Sequence, residues 1–115
     1  MGYVIHVDNS GFFRKIMRAY LTELGFESEE FQLGQEALFA AQGGNVSCVI
    51  TALELSDMKG EEFIDQLAAL DQRIPIIVFS ANTDQQRIEY LETRGVVGIV
   101  QKTSNWKDDL RRFFL

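Results

Sequence analysis

The chain has little of several things that would narrow its chemistry. It holds one cysteine, Cys48, so it can form no disulfide within itself. A lone thiol in an apolar run reads as a buried, reduced side chain and fits a cytoplasmic setting. Proline is used once, at Pro75, and histidine once, at His6. No apolar run approaches the ~18 residues of a membrane span, and the first residues do not read as a signal peptide. Met1-Gly2 has the form of a myristoylation start, but His6 stands where a serine or threonine is wanted. Neither GxGxxG nor GxxxxGK[ST] occurs. Cationic residues are in the minority, 11 Lys and Arg against 17 Asp and Glu, for a net charge of −6. That balance argues against unaided binding to nucleic acid or to an anionic membrane. Arg111-Arg112, the one basic cluster, follows Asp108-Asp109 and reads as part of a solvated helix face.

What is present suits one domain spanning residues 1–115, with 46% hydrophobic residues. A chain of this length buries roughly two-thirds of its unfolded surface. Short apolar runs alternate with segments of helical period. Strands are expected at Tyr3–Val7, Glu27–Phe31, Val46–Thr51, Ile76–Phe79 and Val96–Val100. Glu27–Phe31 is acidic enough to be an edge strand, and Pro75 is tolerated at a strand's opening. Between the strands, Phe13, Ile16, Met17, Tyr20, Leu21 and Leu24 recur at helical spacing up to Gly25. Further helices are expected over Glu36–Gln42, around Phe63, Ile64, Leu67 and Ala68, from a Thr83/Gln86 capping box to about Thr93, and along Trp106, Leu110, Phe113 and Phe114. Five strands alternating with five helices predict an α/β, flavodoxin-like (βα)5 sandwich, a parallel sheet covered on both faces with strand order 2-1-3-4-5.

In such sheets function gathers at the carboxyl ends of the strands. Those ends carry Asp8-Asn9, Ala52, Ser80-Ala81 and Lys102. Four segments there resemble a response-regulator receiver domain, in order and at matching spacing. They are Val7-Asp8-Asn9-Ser10, Leu55-Ser56-Asp57-Met58-Lys59-Gly60, Ile74-Pro75-Ile76-Ile77-Val78-Phe79-Ser80-Ala81, and Gly95-Val96-Val97-Gly98-Ile99-Val100-Gln101-Lys102. The resemblance implies two-component, phosphorelay signalling. An acidic pair holds Mg²⁺, an aspartate at the end of strand 3 accepts a phosphoryl group from a histidine kinase, and a hydroxyl and a lysine contact that group. Asp8 matches the first acid, Ser80 the hydroxyl and Lys102 the lysine.

The departures are as informative. Counting back from Gly60 puts Ala52 at the acceptor position, and its methyl group can neither be phosphorylated nor bind a metal. Asn9 replaces the second acid, Thr103 the proline after the lysine, and Ile99 the aromatic whose rotation reports activation. Glu54 stands where the family uses a backbone carbonyl. Mg²⁺ favours carboxylate oxygens and sheds water reluctantly, so these vestigial positions Asp8, Asn9 and Glu54 imply weak Mg²⁺ binding at most and no other cofactor. The empty acceptor position predicts that Lys102 turns to Asp8, and the loss of proline predicts a trans Lys102–Thr103 bond.

The leading reading is a non-enzymatic pseudo-receiver that acts through protein contacts. Its partners would be a histidine kinase or an output domain. The face of helix 4, strand 5 and helix 5, with Arg87, Glu89, Tyr90, Ile99, Asp108 and Arg111, would dock them or form a homodimer. An alternative is an ordinary phosphorylatable receiver whose acceptor aspartate was replaced by Ala52. A more remote one is a small nucleotide- or flavin-binding protein. Bland roles compete at single residues: Asp8-Asn9-Ser10 as a turn and N-cap, Ser80 as a partner for a strand-end backbone group, Lys102 as a structural partner of Asp8, Asp57 as a solvated loop residue, and His6 as a packed neutral side chain.

Overall fold

The computed structural model describes residues 2–81 and 83–114. Met1 of the Met1-Gly2 start and the final Leu115 lie outside them. The strands are β1 (Tyr3–Val7), β2 (Ser28–Phe31), β3 (Val46–Thr51), β4 (Ile76–Ser80) and β5 (Val96–Gln101). They alternate with α1 (Gly11–Glu23), α2 (Gly34–Ala41), α3 (Gly60–Leu70), α4 (Gln85–Thr93) and α5 (Trp106–Arg111), and a 3-10 turn (Arg112–Phe114) follows. All five strands are parallel in the order β2-β1-β3-β4-β5, as the alternation of elements predicts.

Continuous apolar strands are buried on both faces, and each face makes its own core. On one side Ile5, Val7, Val49 and Val78 pack against Ala37 and Leu38 of α2, Phe63, Ile64 and Leu67 of α3, and Leu91 of α4. On the other, Val4, Ile50, Ile77 and Phe79 meet Met17, Tyr20 and Leu21 of α1 and Trp106 and Leu110 of α5. Cys48 belongs to this second core, and burial pushes its thiol up to about 12, so it stays protonated and unreactive. Trp106 and Leu110 are core residues as their spacing predicts, but the stripe does not continue unbroken. Phe113 is 42% exposed, with its ring laid against the backbone of Gly98, where a Cβ would collide with it.

Helix starts differ from their sequence reading in two places. The Ser10 hydroxyl caps α1 as expected, accepting from the Phe13 N–H at 3.2 Å. The cap of α4, however, is Asp84, whose carboxylate accepts from Arg87 N–H at 2.8 Å. Thr83, one residue earlier, makes no such bond. The start of α2 has no capping side chain of its own, because Leu33 occupies that position. Asp57 supplies the cap from the β3–α3 loop, accepting from Gly34 N–H at 2.8 Å and Gln35 N–H at 3.0 Å. Asp57 is exposed, as a solvated loop residue should be, and it is also a structural staple between two loops. Gly60 holds the same loop down from the other end. A Cβ there would lie 2.6 Å from Leu53 Cα and 2.7 Å from the Ala52 carbonyl oxygen.

Removing the Asp57 cap should cost about 0.5–2 kcal/mol of stability. Asp57→Ala is expected to lower the denaturant midpoint accordingly and to speed hydrogen exchange at the Gly34 and Gln35 amides, with the amides of β4 unaffected.

Candidate functional site

The residues singled out at the strand ends do converge. β1 delivers Asp8, β3 Ala52, β4 Ser80 and β5 Lys102; the last three line a cleft of about 360 Å³ walled by Asn9, Glu54 and Arg87, while Asp8 is buried beside it. Ala52 is 3% exposed at its floor. Its amide donates to the Val7 carbonyl at 2.9 Å, so strand pairing fixes the methyl beside the end of β1. The neighbouring Thr51 hydroxyl is turned away, donating to the Ala52 carbonyl at 2.8 Å, and is fully buried.

Asp8 is the electrostatic centre of the site. It is fully buried. One carboxylate oxygen, Oδ1, accepts from the Ser10 N–H at 2.9 Å. The other, Oδ2, lies 2.9 Å from Lys102 Nζ and 3.7 Å from His6 Nε2. Burial is the largest single influence on the carboxyl and favours its neutral form. His6, Lys102 and the Ser10 amide together outweigh it and hold Asp8 below the usual carboxylate range. The expected turn of Lys102 toward Asp8 is thus a direct ion pair.

Lys102 is placed by its own backbone. Its N–H donates to the Ser80 carbonyl at 2.9 Å, and the bond to Thr103 is trans. Its ammonium stands 4.3 Å from the centre of the Phe13 ring and 5.3 Å from that of Phe79. Two aromatic faces and one carboxylate enclose the cation, an arrangement that strengthens both kinds of attraction by excluding water.

Three contributors escaped the sequence reading. His6 packs on Phe79, as a core histidine should, with ring centres 6.3 Å apart. It also lies beneath Asp8, and neither ring nitrogen has a hydrogen-bond partner among the described residues. The signal was available, since residues two apart on a strand share a face. Arg14 of α1 donates to the Asp8 carbonyl at 2.7 Å and fixes the strand end. Arg87, assigned from sequence to an outward docking face, instead forms the cleft's wall. Its guanidinium donates to both carboxylate oxygens of Glu61, at 3.0 Å from Nη2 to Oε1, and reaches Glu54 at 3.4 Å. Arg87 in turn keeps the Glu61 carboxyl below its usual range.

The remaining positions of that face lie apart from the cleft. Tyr90 is 40% exposed and its hydroxyl accepts from Arg94 at 2.9 Å. Ile99 is half-buried against the α2–α3 core, and Asp108 and Arg111 are exposed on α5.

The donor set is a poor fit to Mg²⁺. Asp8 offers the one buried carboxylate and is already paired with Lys102. Asn9 is neutral, Ala52 has no ligand atom, and Glu54 is turned out to Arg87 and solvent. Among the described residues no three His, Cys, Asp or Glu side chains cluster so as to hold a metal.

Because the folded state depresses the Asp8 pKa, the stability Asp8 contributes is present above its unfolded value of about 3.9 and is lost as pH falls through the lower folded value. A carboxyl-carbon NMR titration should find Asp8 ionising below the ordinary aspartate range. In Lys102→Met the midpoint should move up and acid unfolding should begin at higher pH. An unmoved midpoint would mean that the ion pair contributes nothing.

This geometry has clear relatives. The family model described as response regulator receiver domain matches residues 4–112. The transcriptional regulatory protein SrrA of Staphylococcus aureus is 31% identical over 91 residues, which cover 78% of this chain but 37% of that protein. The chain therefore matches only about a third of the length of this curated relative. Among solved structures, the chemotaxis protein CheY4 of Vibrio cholerae superposes with a TM-score of 0.89 at 25% identity, over 99% of this chain and 97% of that one. CheY in the CheX-CheY-BeF3-Mg complex of Borrelia burgdorferi shares the fold, with a TM-score of 0.90 at 22% identity over 98% of this chain and 87% of that one. With residues 4–112 matched and five parallel strands in the order β2-β1-β3-β4-β5, the chain belongs to the response regulator receiver domain family.

Proposed function

We propose that this receiver of a two-component response regulator works as a pseudo-receiver, binding protein partners without aspartyl phosphorylation. The observation that carries the reading is the buried Ala52 methyl at the floor of the cleft, with Lys102 already paired to Asp8. Among the described residues no nucleophile stands in for the missing carboxylate. The Thr51 hydroxyl is buried and hydrogen-bonded to backbone. The donor set supports at most weak Mg²⁺ binding, and no catalytic role follows from the residues present.

The switch itself is disabled at both ends. At the site no phosphoryl group arrives to draw Lys102 from Asp8. At the output face Ile99 has no ring to rotate. Partners in signalling, a kinase or an output protein, would meet one fixed arrangement, through Tyr90, Asp108 and Arg111 or through a homodimer of that face. Among the described residues no helix is long and apolar enough to cross a membrane, and we assign the protein to the cytoplasm.

The retained Asp8, Ser80 and Lys102 favour a second reading, in which the acceptor aspartate has been replaced and the rest of the machinery is live. One experiment separates the two. With acetyl phosphate and Mg²⁺, the protein should gain no phosphoryl group by intact mass, and Ala52→Asp should label slowly or not at all because Asn9 still weakens the metal site. Brisk, Mg²⁺-dependent labelling of Ala52→Asp would favour the replaced-acceptor reading. Beryllofluoride with Mg²⁺ should leave the NMR signals of Ser80, Lys102 and Tyr90 unmoved. Saturable shifts spreading from the cleft to α4 and α5 would mean that the switch survives.

A further inference from the structure

On the far side of the molecule, between the edge strand β2 and α2, a groove of about 600 Å³ is floored by Tyr3, Phe31, Phe39 and Ala40. Phe39 is 77% exposed, the most exposed of the large apolar side chains in the described residues. An aromatic ring held out on a well-packed helix, above a concave apolar floor, marks a contact surface better than scattered apolar residues do.

Charge narrows what would fit there. Glu29 and Glu36 line the same groove and are exposed, and neither has a cationic partner within ion-pair distance among the described residues. The contrast with Glu30, the next residue along β2, is informative. Glu30 is met by Arg14 at 3.6 Å and Arg18 at 3.7 Å. The negative field in the groove is felt locally, since burial and the Glu29 charge together push the Tyr3 hydroxyl above its usual range. A second copy of this chain seated here would set these acids against their own duplicates, which like-charge repulsion opposes. A strand adding to the open edge of β2 would find only four residues to pair with, bearing acids that discourage pairing. A helix lying beside α2 would continue the α2–α3 layer and cover Phe39.

We propose that this groove is a docking site for a basic amphipathic helix of a partner protein, with an apolar side chain packed on Phe39 and lysine or arginine reaching Glu29 and Glu36. This surface is separate from the strand-end cleft and does not depend on whether Ala52 can be bypassed.

The test uses the whole chain and a phage-displayed library of randomised helical peptides. Enriched peptides should combine Lys or Arg with an aromatic residue or leucine at i, i+3 or i+4 spacing. Their synthetic forms should shift NMR signals of Tyr3, Phe31 and Phe39 and bind less tightly as salt rises. Phe39→Ala should weaken binding roughly tenfold or more, as loss of a central aromatic anchor does, and Glu36→Gln should weaken it several-fold. Both side chains are exposed, so unchanged melting curves check that the fold is intact. Glu62→Gln, the same charge change on α3, should have no effect. The proposal is overturned by a library that yields no binder, by acidic or neutral binders, by shifts centred elsewhere, or by an equal loss in Glu62→Gln. It is overturned too by self-association that Phe39→Ala abolishes.

Discussion

The ion pair between Asp8 and Lys102 is the constraint on which the site depends. It joins the ends of β1 and β5 across the two strands between them. Two isolated charges this deep would be costly, since removing a carboxylate from water costs several kcal/mol unless something compensates. Compensation is provided here by a backbone amide at Asp8 and two aromatic faces at Lys102. Removing one partner of such a pair typically costs about 3–5 kcal/mol, because the other is left charged and alone. The pair therefore holds the strand ends in one arrangement. The Ala52 methyl at the end of β3, 3% exposed, adds no charge beside the pair.

A second set of charges works on α4. Arg87 grips Glu61 and reaches Glu54, and seven residues on, at the C-cap of the helix, Arg94 meets Asp65 at 3.2 Å. Two arginines on one side of α4 thus engage two acids one turn apart on α3. Each exposed pair alone is worth only about 0–1 kcal/mol. The Arg87–Glu61 contact is bidentate and partly buried, which gives it more directional hold than a point charge would have. Together the pairs tie α4 to the α3 layer. A helix held this way carries Tyr90 on a fixed platform.

The acids of β2 show how unevenly one strand can be used. Glu30 is neutralised by two arginines of α1, whereas Glu29 faces the α2 side without a cation among the described residues. Alternation along the strand separates the two, so successive residues of the same type acquire different roles. The exposed ring of Phe39 sits beside the uncompensated acid. Apolar surface and unpaired charge together make this edge chemically distinct from the mixed-charge face formed by Tyr90, Asp108 and Arg111.

The sequence alone determined the alternation of strands and helices and the identity of the strand-end residues, while the strand order was an expectation for such a fold that the tertiary structure has. Short continuous apolar runs such as Ile76–Phe79 fit strands covered on both faces, and helical periods such as Met17, Tyr20 and Leu21 fall between them. The Asp8–Lys102 contact was expected on other grounds, from the resemblance to receivers and the lack of a carboxylate at Ala52 that it implies. Local rules failed where the deciding partner is distant in the chain. Asp57 caps a helix that begins 23 residues before it, and Arg87 pairs with an acid 26 residues away. Neither spacing leaves a periodic trace. Thr83 and Gln86 formed a plausible capping box, but Asp84, one residue on, reached the free amide instead. Hydrophobic period is written residue by residue along the chain. Long-range polar contacts depend on which side chains meet after the layers have packed, and only the tertiary structure decides that.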